Sequence, residues 1–178
     1  MGNAVRRPNE GRRHEKWPAP LVEVTRGYLF SAAHRLHNPR LSLVENRRVY
    51  GRCNHPSGHG HSYRLEVTIR GPVSFETGGV ADGNHLDQVV RTQVLQRFDH
   101  KDLNVLIRPA DGPTSTTEAL GAVLWRILDK ALPLGRLWRL RLEETPNNFF
   151  EFHRSDVKQT DNTVSPVPEN GGQKVSPA

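Results

Sequence analysis

The sequence reads CNHPSGHGHSYRLEVTIR from Cys53 to Arg70, and it joins a cluster of metal-binding side-chain types to a strand pattern. Residues 63–70 alternate apolar and polar side chains, which predicts a β-strand with one face in the core. In a strand, side chains at positions i and i+2 point to the same face. We therefore expect His59 and His61 to lie side by side at the start of this strand.

A third histidine, His34, ends the apolar segment FSAAH at residues 30–34. Three histidines with a vacant fourth position are the ligand set of a catalytic rather than a structural zinc site. Neutral imidazole favours Zn²⁺, although the sequence alone also allows iron or nickel. His37 and His55 compete as ligands, but neither shares a strand face with a partner.

Cys53 is the single cysteine of the chain. Free cysteines are commonly buried in cores, but the neighbours of Cys53 are polar and turn-forming, which predicts a partly exposed thiol near basic groups. Arg52, a metal ion or an imidazolium would stabilise its thiolate as a base or nucleophile. The alternative is that Cys53 is a fourth zinc ligand, which would close the site.

Two further segments carry side chains suited to proton transfer and binding. In FDHKDLN, residues 98–104, Asp99 could orient His100 for proton transfer near neutral pH; the alternative is a pair of helix-terminal charges. Glu144 ends a predicted strand, where an exposed glutamate is ordinary. A buried carboxylate there could instead hold an N–C–N edge through both of its oxygens.

The spacing of apolar residues predicts four strands and two helices in the order β-β-α-α-β-β. The strands are expected at 21–36, 59–70, 137–144 and 149–153, the helices at 84–98 and 116–132, and a polar, Arg-rich loop at 37–58. Asp82 could cap the first helix, and Ser115 or Thr116 the second. Pro146-Asn147-Asn148 predicts a tight turn. This order indicates an α+β fold, with both helices on one face of an antiparallel four-stranded sheet.

The chain has 178 residues and a formal net charge of +6, which fits one domain, expected at 21–154, between disordered tails at 1–20 and 155–178. The positive excess suits an anionic small molecule, and no aromatic-basic pattern of the kind that binds nucleic acid is present. We expect no membrane span and no secretory signal. A single cysteine fits a reducing cytoplasm.

Five segments in this order resemble the 6-pyruvoyl-tetrahydropterin synthase family and its bacterial relatives, the 6-carboxy-tetrahydropterin synthases. They are FSAAHRL, GRCNHPSGHGHSY, FDHKDLN, PTSTTE and EETPNN, spread over residues 30–148. The resemblance implies the tunnelling fold, in which the sheets of three subunits close into a barrel and two trimers stack into a homohexamer. Active sites between subunits are implied as well.

The same resemblance implies a role for each matching residue. It makes the substrate 7,8-dihydroneopterin triphosphate and the product 6-pyruvoyl-tetrahydropterin, with triphosphate as the leaving group. Arg47, Arg48 and Arg52 are candidates for contact with the triphosphate. The implied roles are zinc ligands for His34, His59 and His61, catalytic base for Cys53, proton relay across a subunit boundary for Asp99 with His100, pterin anchor for Glu144, and pocket lining for Thr116 and Thr117.

Three functions remain open at this point. Five residues separate Cys53 from His59, a gap similar to that of the pyruvoyl type. The carboxy type, which makes 6-carboxy-tetrahydropterin and acetaldehyde for queuosine synthesis, commonly has a shorter gap. A zinc-binding structural or regulatory protein without catalysis is the third possibility, and the presence of Cys53, Asp99, His100 and Glu144 together argues against it.

Overall fold

The computed structural model describes residues 18–80, 83–107, 114–133 and 136–156, and a five-stranded sheet runs through them in the order β3-β1-β2-β4-β5. Its four long strands are antiparallel, as the sequence predicts, and the short β3 pairs in parallel with β1. The strands are β1 (Leu21–His34), β2 (His59–Pro72), β3 (Lys101–Asp102), β4 (Leu137–Thr145) and β5 (Asn148–His153).

The described helices differ widely in length. A π-helical segment, Arg91–Leu95, joins the helix Gly83–Val90 to the helix Gln96–Phe98. The helix predicted at 84–98 is therefore present as one continuous helical run. The α-helices are α1 (Leu43–Tyr50), α2 (Gly83–Val90), α3 (Gln96–Phe98), α4 (Leu103–Leu106) and α5 (Thr117–Ala131).

The core lies between one face of the sheet and the two longest helical runs. Alternate residues of β2 point into it, and Tyr63, Leu65 and Val67 are fully buried. On α5, Leu120, Leu124 and Leu128 follow the helical repeat and are also fully buried. This packing confirms the predicted layer of helices on a single face of the sheet.

Two elements depart from the expected pattern. The segment predicted as a loop, 37–58, contains α1, whose start is a capping box: the Ser42 hydroxyl accepts from the Glu45 backbone N–H, and the Glu45 carboxylate accepts from the Ser42 N–H. The helix escaped prediction because its apolar residues, such as Leu43 and Val44, face solvent rather than a core. The two-residue β3 is too short to show any periodicity.

The register of β1 against β2 runs without a break from Leu21↔Pro72 to His34↔His59, so it brings two predicted ligands to the same end of the sheet. Within the described residues, no helix is long and apolar enough to cross a membrane. Asp82 and nearly all of both predicted tails lie outside the described ranges.

Candidate active site

The three predicted ligand histidines meet where β1 ends and β2 begins. His34 and His59 are directly paired across the two strands, and His61 follows two residues later on the same face. The ring centroids are 4.7 Å apart for His34–His59 and for His59–His61, and 5.1 Å apart for His34–His61. One potential ligand nitrogen from each ring lies within 4.8 Å of the other two.

Backbone contacts fix the tautomer of His34. Its Nδ1 lies 2.7 Å from the Ser115 carbonyl oxygen, and because a carbonyl can only accept, Nδ1 carries the proton. The lone pair is therefore on Nε2, which lies 3.2 Å from His59 Nε2. Two nitrogens bound to one tetrahedral zinc ion would be about 3.3 Å apart. A carbonyl that orients a ligating histidine in this way is a common feature of metal sites.

The other two rings also have free nitrogens inside the protein. His59 Nδ1 and His61 Nε2 are buried without a hydrogen-bond partner. Burial lowers the pKa of all three histidines, which favours the neutral form that binds metals. The three side chains therefore fit a divalent cation, and they are the one such group of potential ligands among the described residues.

Cys53 lies on a short 3₁₀ segment, Gly51–Asn54, and is partly buried. It is not a member of the histidine group in the described structure, which argues against a fourth, thiolate ligand. Arg52, one of the three groups expected to stabilise its thiolate, is exposed and is not among the causes that shift the pKa of the Cys53 thiol. Instead, burial and then the negative charge of Glu144 raise the pKa of the Cys53 thiol. A bound cation would act in the opposite direction.

Glu144 projects from the end of β4 toward the histidines and has a side chain that is only 14% exposed. Its Oε1 lies 3.6 Å from His61 Nε2 and 3.7 Å from His34 Nε2. Thr117 donates to Oε1 and Asn148 Nδ2 donates to Oε2, each at 2.8 Å. The carboxylate is thus buried, oriented and adjacent to the candidate metal site, which is not the ordinary exposed glutamate of a strand end.

The start of α5 provides the residues beside Glu144. Thr116 is the N-cap, and its hydroxyl accepts from the Ala119 N–H at 3.3 Å, so its side chain stabilises the helix while Thr117 contacts the carboxylate. Sequence reasoning missed Tyr63, whose hydroxyl is buried without a hydrogen-bond partner beside the His61 ring. It also missed Asn148, assigned only to a turn. The strand alternation that placed His59 and His61 on one face also places Tyr63 there.

Asp99 and His100 lie at the outer edge of β1. Asp99 Oδ1 accepts from the Ser31 N–H at 2.8 Å and lies 3.0 Å from His100 Nδ1. The hydrogen bond from Ser31 is the main cause that lowers the pKa of Asp99. His100 has a positive φ of 56° and a side chain that is 81% exposed. Within the described residues the pair makes no hydrogen bond or ion pair with the histidine group.

The competing histidines lie outside the cluster. His37 Nδ1 lies 3.1 Å from Asn54 Nδ2, and His55 Nδ1 accepts from the Ser57 N–H. Arg47 and Arg48, in the last turn of α1, are exposed. Their contact with a triphosphate stays a prediction.

Comparison with known proteins gives one family. The sequence model of the family described as 6-pyruvoyl tetrahydropterin synthase matches residues 23–155. The 6-pyruvoyl tetrahydrobiopterin synthase of Drosophila melanogaster is 38% identical over 134 residues, which are 75% of this chain and 80% of the fly protein. The protein of that name from Poecilia reticulata is 42% identical over 125 residues, 70% of this chain and 85% of the fish protein.

A solved structure agrees with these sequences. The 6-pyruvoyl tetrahydropterin synthase of Caenorhabditis elegans superposes with a TM-score of 0.71 at 34% identity, covering 77% of this chain and 98% of the worm chain. The matched region contains every predicted site residue. This chain therefore belongs to the 6-pyruvoyl tetrahydropterin synthase family.

Proposed function

We propose that this chain is a zinc-dependent lyase that converts 7,8-dihydroneopterin triphosphate into 6-pyruvoyl-tetrahydropterin with release of triphosphate. The observation that carries the proposal is the group of three histidines with an oriented carboxylate and a partly buried thiol nearby. The relatives that this chain resembles in sequence and in fold are named for the pyruvoyl product.

Glu144 is the proposed anchor of the pterin ring. Its two oxygens would accept from the ring N–H and the 2-amino group, whose donors form an N–C–N edge. Thr117 and Asn148 keep the carboxylate in one orientation, so less conformational entropy is lost when the ring binds. The role of Thr116 is to begin the helix that carries Thr117.

Cys53 is the proposed base for a C–H proton of the substrate side chain. Burial and the charge of Glu144 raise the pKa of this thiol, so a thiolate at neutral pH requires a nearby positive charge. His100, oriented by the ionised Asp99, is the proposed group that returns a proton to the substrate. Its exposure fits a role in a site shared with a neighbouring subunit.

His34, His59 and His61 would hold the zinc ion, with one coordination position left for substrate oxygen. Zinc bound there supplies Lewis-acid chemistry that acidifies neighbouring hydroxyl and C–H groups. The uncharged histidine set leaves the full positive charge of the ion available for this purpose. Zinc rather than another divalent metal is favoured by three imidazole ligands.

The test is incubation of the zinc-loaded protein with 7,8-dihydroneopterin triphosphate, followed by mass spectrometry of the products. We expect 6-pyruvoyl-tetrahydropterin and triphosphate in equal amounts. Acetaldehyde with 6-carboxy-tetrahydropterin would show the carboxy-type reaction instead. Absence of turnover by the zinc-loaded protein would overturn both enzymatic functions.

A further inference from the structure

The four residues that follow His34 leave the sheet, and side chains from other segments bind their backbone groups. Arg35 is held on both sides by one amide: its N–H donates to Asn104 Oδ1 at 2.7 Å, and its carbonyl accepts from Asn104 Nδ2 at 2.7 Å. Asn104 is itself fixed at the start of α4 by a hydrogen bond from its N–H to Asp102. Both backbone hydrogen-bonding groups of Arg35 are therefore satisfied, as they would be beside a neighbouring strand.

Leu36 is held in the same manner by the Cys53 loop. The Leu36 N–H donates to the Cys53 carbonyl at 2.8 Å, and the Leu36 carbonyl accepts from Asn54 Nδ2 at 2.7 Å. The Arg35 guanidinium adds a contact from Nε to the Asn54 carbonyl at 3.1 Å. The backbone of Cys53 is therefore fixed against the residue two positions beyond His34.

Two asparagines thus connect three segments of the site. Asn104 joins the segment that carries Asp99 and His100 to the end of β1, and Asn54 joins the thiol loop to the same place. Both contact the Arg35–Leu36 backbone, which directly follows the candidate ligand His34 and is hydrogen-bonded to the Cys53 carbonyl. A displacement of about 1 Å between reacting groups is enough to cost roughly 100-fold in rate.

We infer that Asn54 and Asn104 are positioning residues for Cys53, acting through the Arg35–Leu36 backbone. The reactive role of Cys53 rests on the proposed function, whereas the arrangement of the two amides does not. Neither asparagine needs to touch the substrate. Their loss is therefore expected to lower kcat and to leave KM nearly unchanged.

Asn46, on α1, provides a matched control. It is fully buried, its Oδ1 accepts from the Asn38 N–H at 2.7 Å, and its Nδ2 donates to the Asn38 carbonyl at 2.9 Å. Asn46 thus binds the N–H and the carbonyl of one residue, as Asn104 does. Its contact, however, joins Asn38 to α1 and not to Cys53. Its replacement should lower stability without affecting the thiol.

The first measurement is steady-state kinetics of the zinc-loaded Asn54→Ala, Asn104→Ala and Asn46→Ala variants. We expect kcat to fall about 10- to 100-fold in the first two, with KM within about threefold of the parent value. The Asn46→Ala variant should keep its kcat while its melting temperature falls. A kcat close to the parent value in both Asn54→Ala and Asn104→Ala would overturn the inference.

A second measurement does not depend on turnover. Because Cys53 is the single thiol, its rate of alkylation by iodoacetamide reports its surroundings without interference. We expect the rate to rise at least about threefold in Asn54→Ala and Asn104→Ala, since a released thiol is more exposed, and to stay unchanged in Asn46→Ala. Unchanged or slower alkylation in both would contradict the inference, even if the parent protein proved inactive on the pterin.

Discussion

The carboxylate of Glu144 receives a different hydrogen bond at each oxygen, and both donors come from elements that meet only in the folded chain. Thr117 lies at the start of α5, and Asn148 lies just after the turn between β4 and β5. Hydrogen bonds to a charged group are roughly twice as strong as neutral ones. The orientation of Glu144 is therefore set before any ligand binds.

Replacement of Glu144 by glutamine should weaken pterin binding while the fold is retained. The amide keeps the shape of the side chain, but one of its two ends becomes a donor and faces a donor of the ligand. The loss of one charge-assisted hydrogen bond corresponds to about 1.5–3 kcal/mol, so kcat/KM should fall by about 10- to 150-fold. Steady-state kinetics and isothermal titration with a pterin measure this effect.

The conservative control for this change is Thr117→Ser, which retains the donor hydroxyl and should keep kcat/KM near the parent value. An equal loss in Thr117→Ser and Glu144→Gln would show that repacking, and not the carboxylate charge, causes the effect. Unchanged pterin affinity in Glu144→Gln would contradict the anchoring role.

Individual side chains differed in how far the sequence could identify them. The i, i+2 spacing of His59 and His61 is a local property, so it predicted a shared face directly. The contacts of Asn54 with Leu36 and of Asn104 with Arg35 join residues that are 18 and 69 positions apart in sequence, and no local pattern indicates them. Asn148 is only four residues from Glu144, but its turn sequence does not show which way its side chain points. The raised pKa of Cys53 depends on burial and on Glu144, both of which require the tertiary structure.

At the scale of elements, the loop that joins the 3₁₀ segment to β2 approaches β1 very closely. Gly58 has a φ of +66°, and a Cβ placed on it would lie 2.9 Å from the carbonyl oxygen of His34. Gly78 has nearly the same φ, +67°, but a Cβ there would meet nothing within 4 Å. The two glycines have nearly the same φ and differ in their surroundings.

Replacing Gly58 and Gly78 by alanine, one at a time, separates the cost of the positive φ from the cost of the steric clash. Gly78→Ala should destabilise the protein by about 1–2 kcal/mol, the cost of a left-handed conformation. Gly58→Ala should cost about 1–3 kcal/mol more, because the clash with a backbone oxygen forces the loop away from β1, and it should also weaken zinc affinity. Denaturant unfolding and zinc titration of both variants measure these quantities; equal losses with unchanged affinity would refute the explanation.

The elements themselves were predictable where their pattern was periodic and long. The alternation in β2 and the helical repeat of α5 each extend over many residues, and both elements were predicted. The helix α1 carries its signal in the Ser42–Glu45 capping box alone, with Asn46 as its one buried residue. The short strand β3, which was not predicted, forms because His100 and its neighbours are hydrogen-bonded to β1. No periodicity in the sequence can reveal such a contact.

At the scale of the whole molecule, one edge of the sheet is largely uncovered in the single chain. In the described residues, β3 covers β1 only at Ala32 and Ala33, which leaves residues 21–31 with one side unpaired by any strand. Leu29 is 73% exposed there. Long uncovered edges with apolar side chains favour association, which supports the closure of three sheets into a barrel, and the hexamer built from it, that the family resemblance implies.

Subunit mixing tests whether the active site is shared. If Cys53 of one subunit works with His100 of its neighbour, inactive Cys53→Ala and His100→Ala chains should restore activity when unfolded and refolded together. Random assembly of equal amounts should recover about one quarter of the parent activity, since each site then draws its two residues independently. No recovery would indicate a site within one chain, and separately refolded variants serve as the control.

We propose that three histidines alone hold the metal while Cys53 acts beside it. Turnover per bound zinc in Cys53→Ala, relative to the parent protein, separates a role as base from a role as ligand. We predict one zinc ion per chain in both proteins and a turnover per zinc that is at least about 1,000-fold lower in the variant. Loss of zinc in proportion to the loss of turnover would make Cys53 a ligand, and turnover per zinc near the parent value would show that Cys53 is not the base.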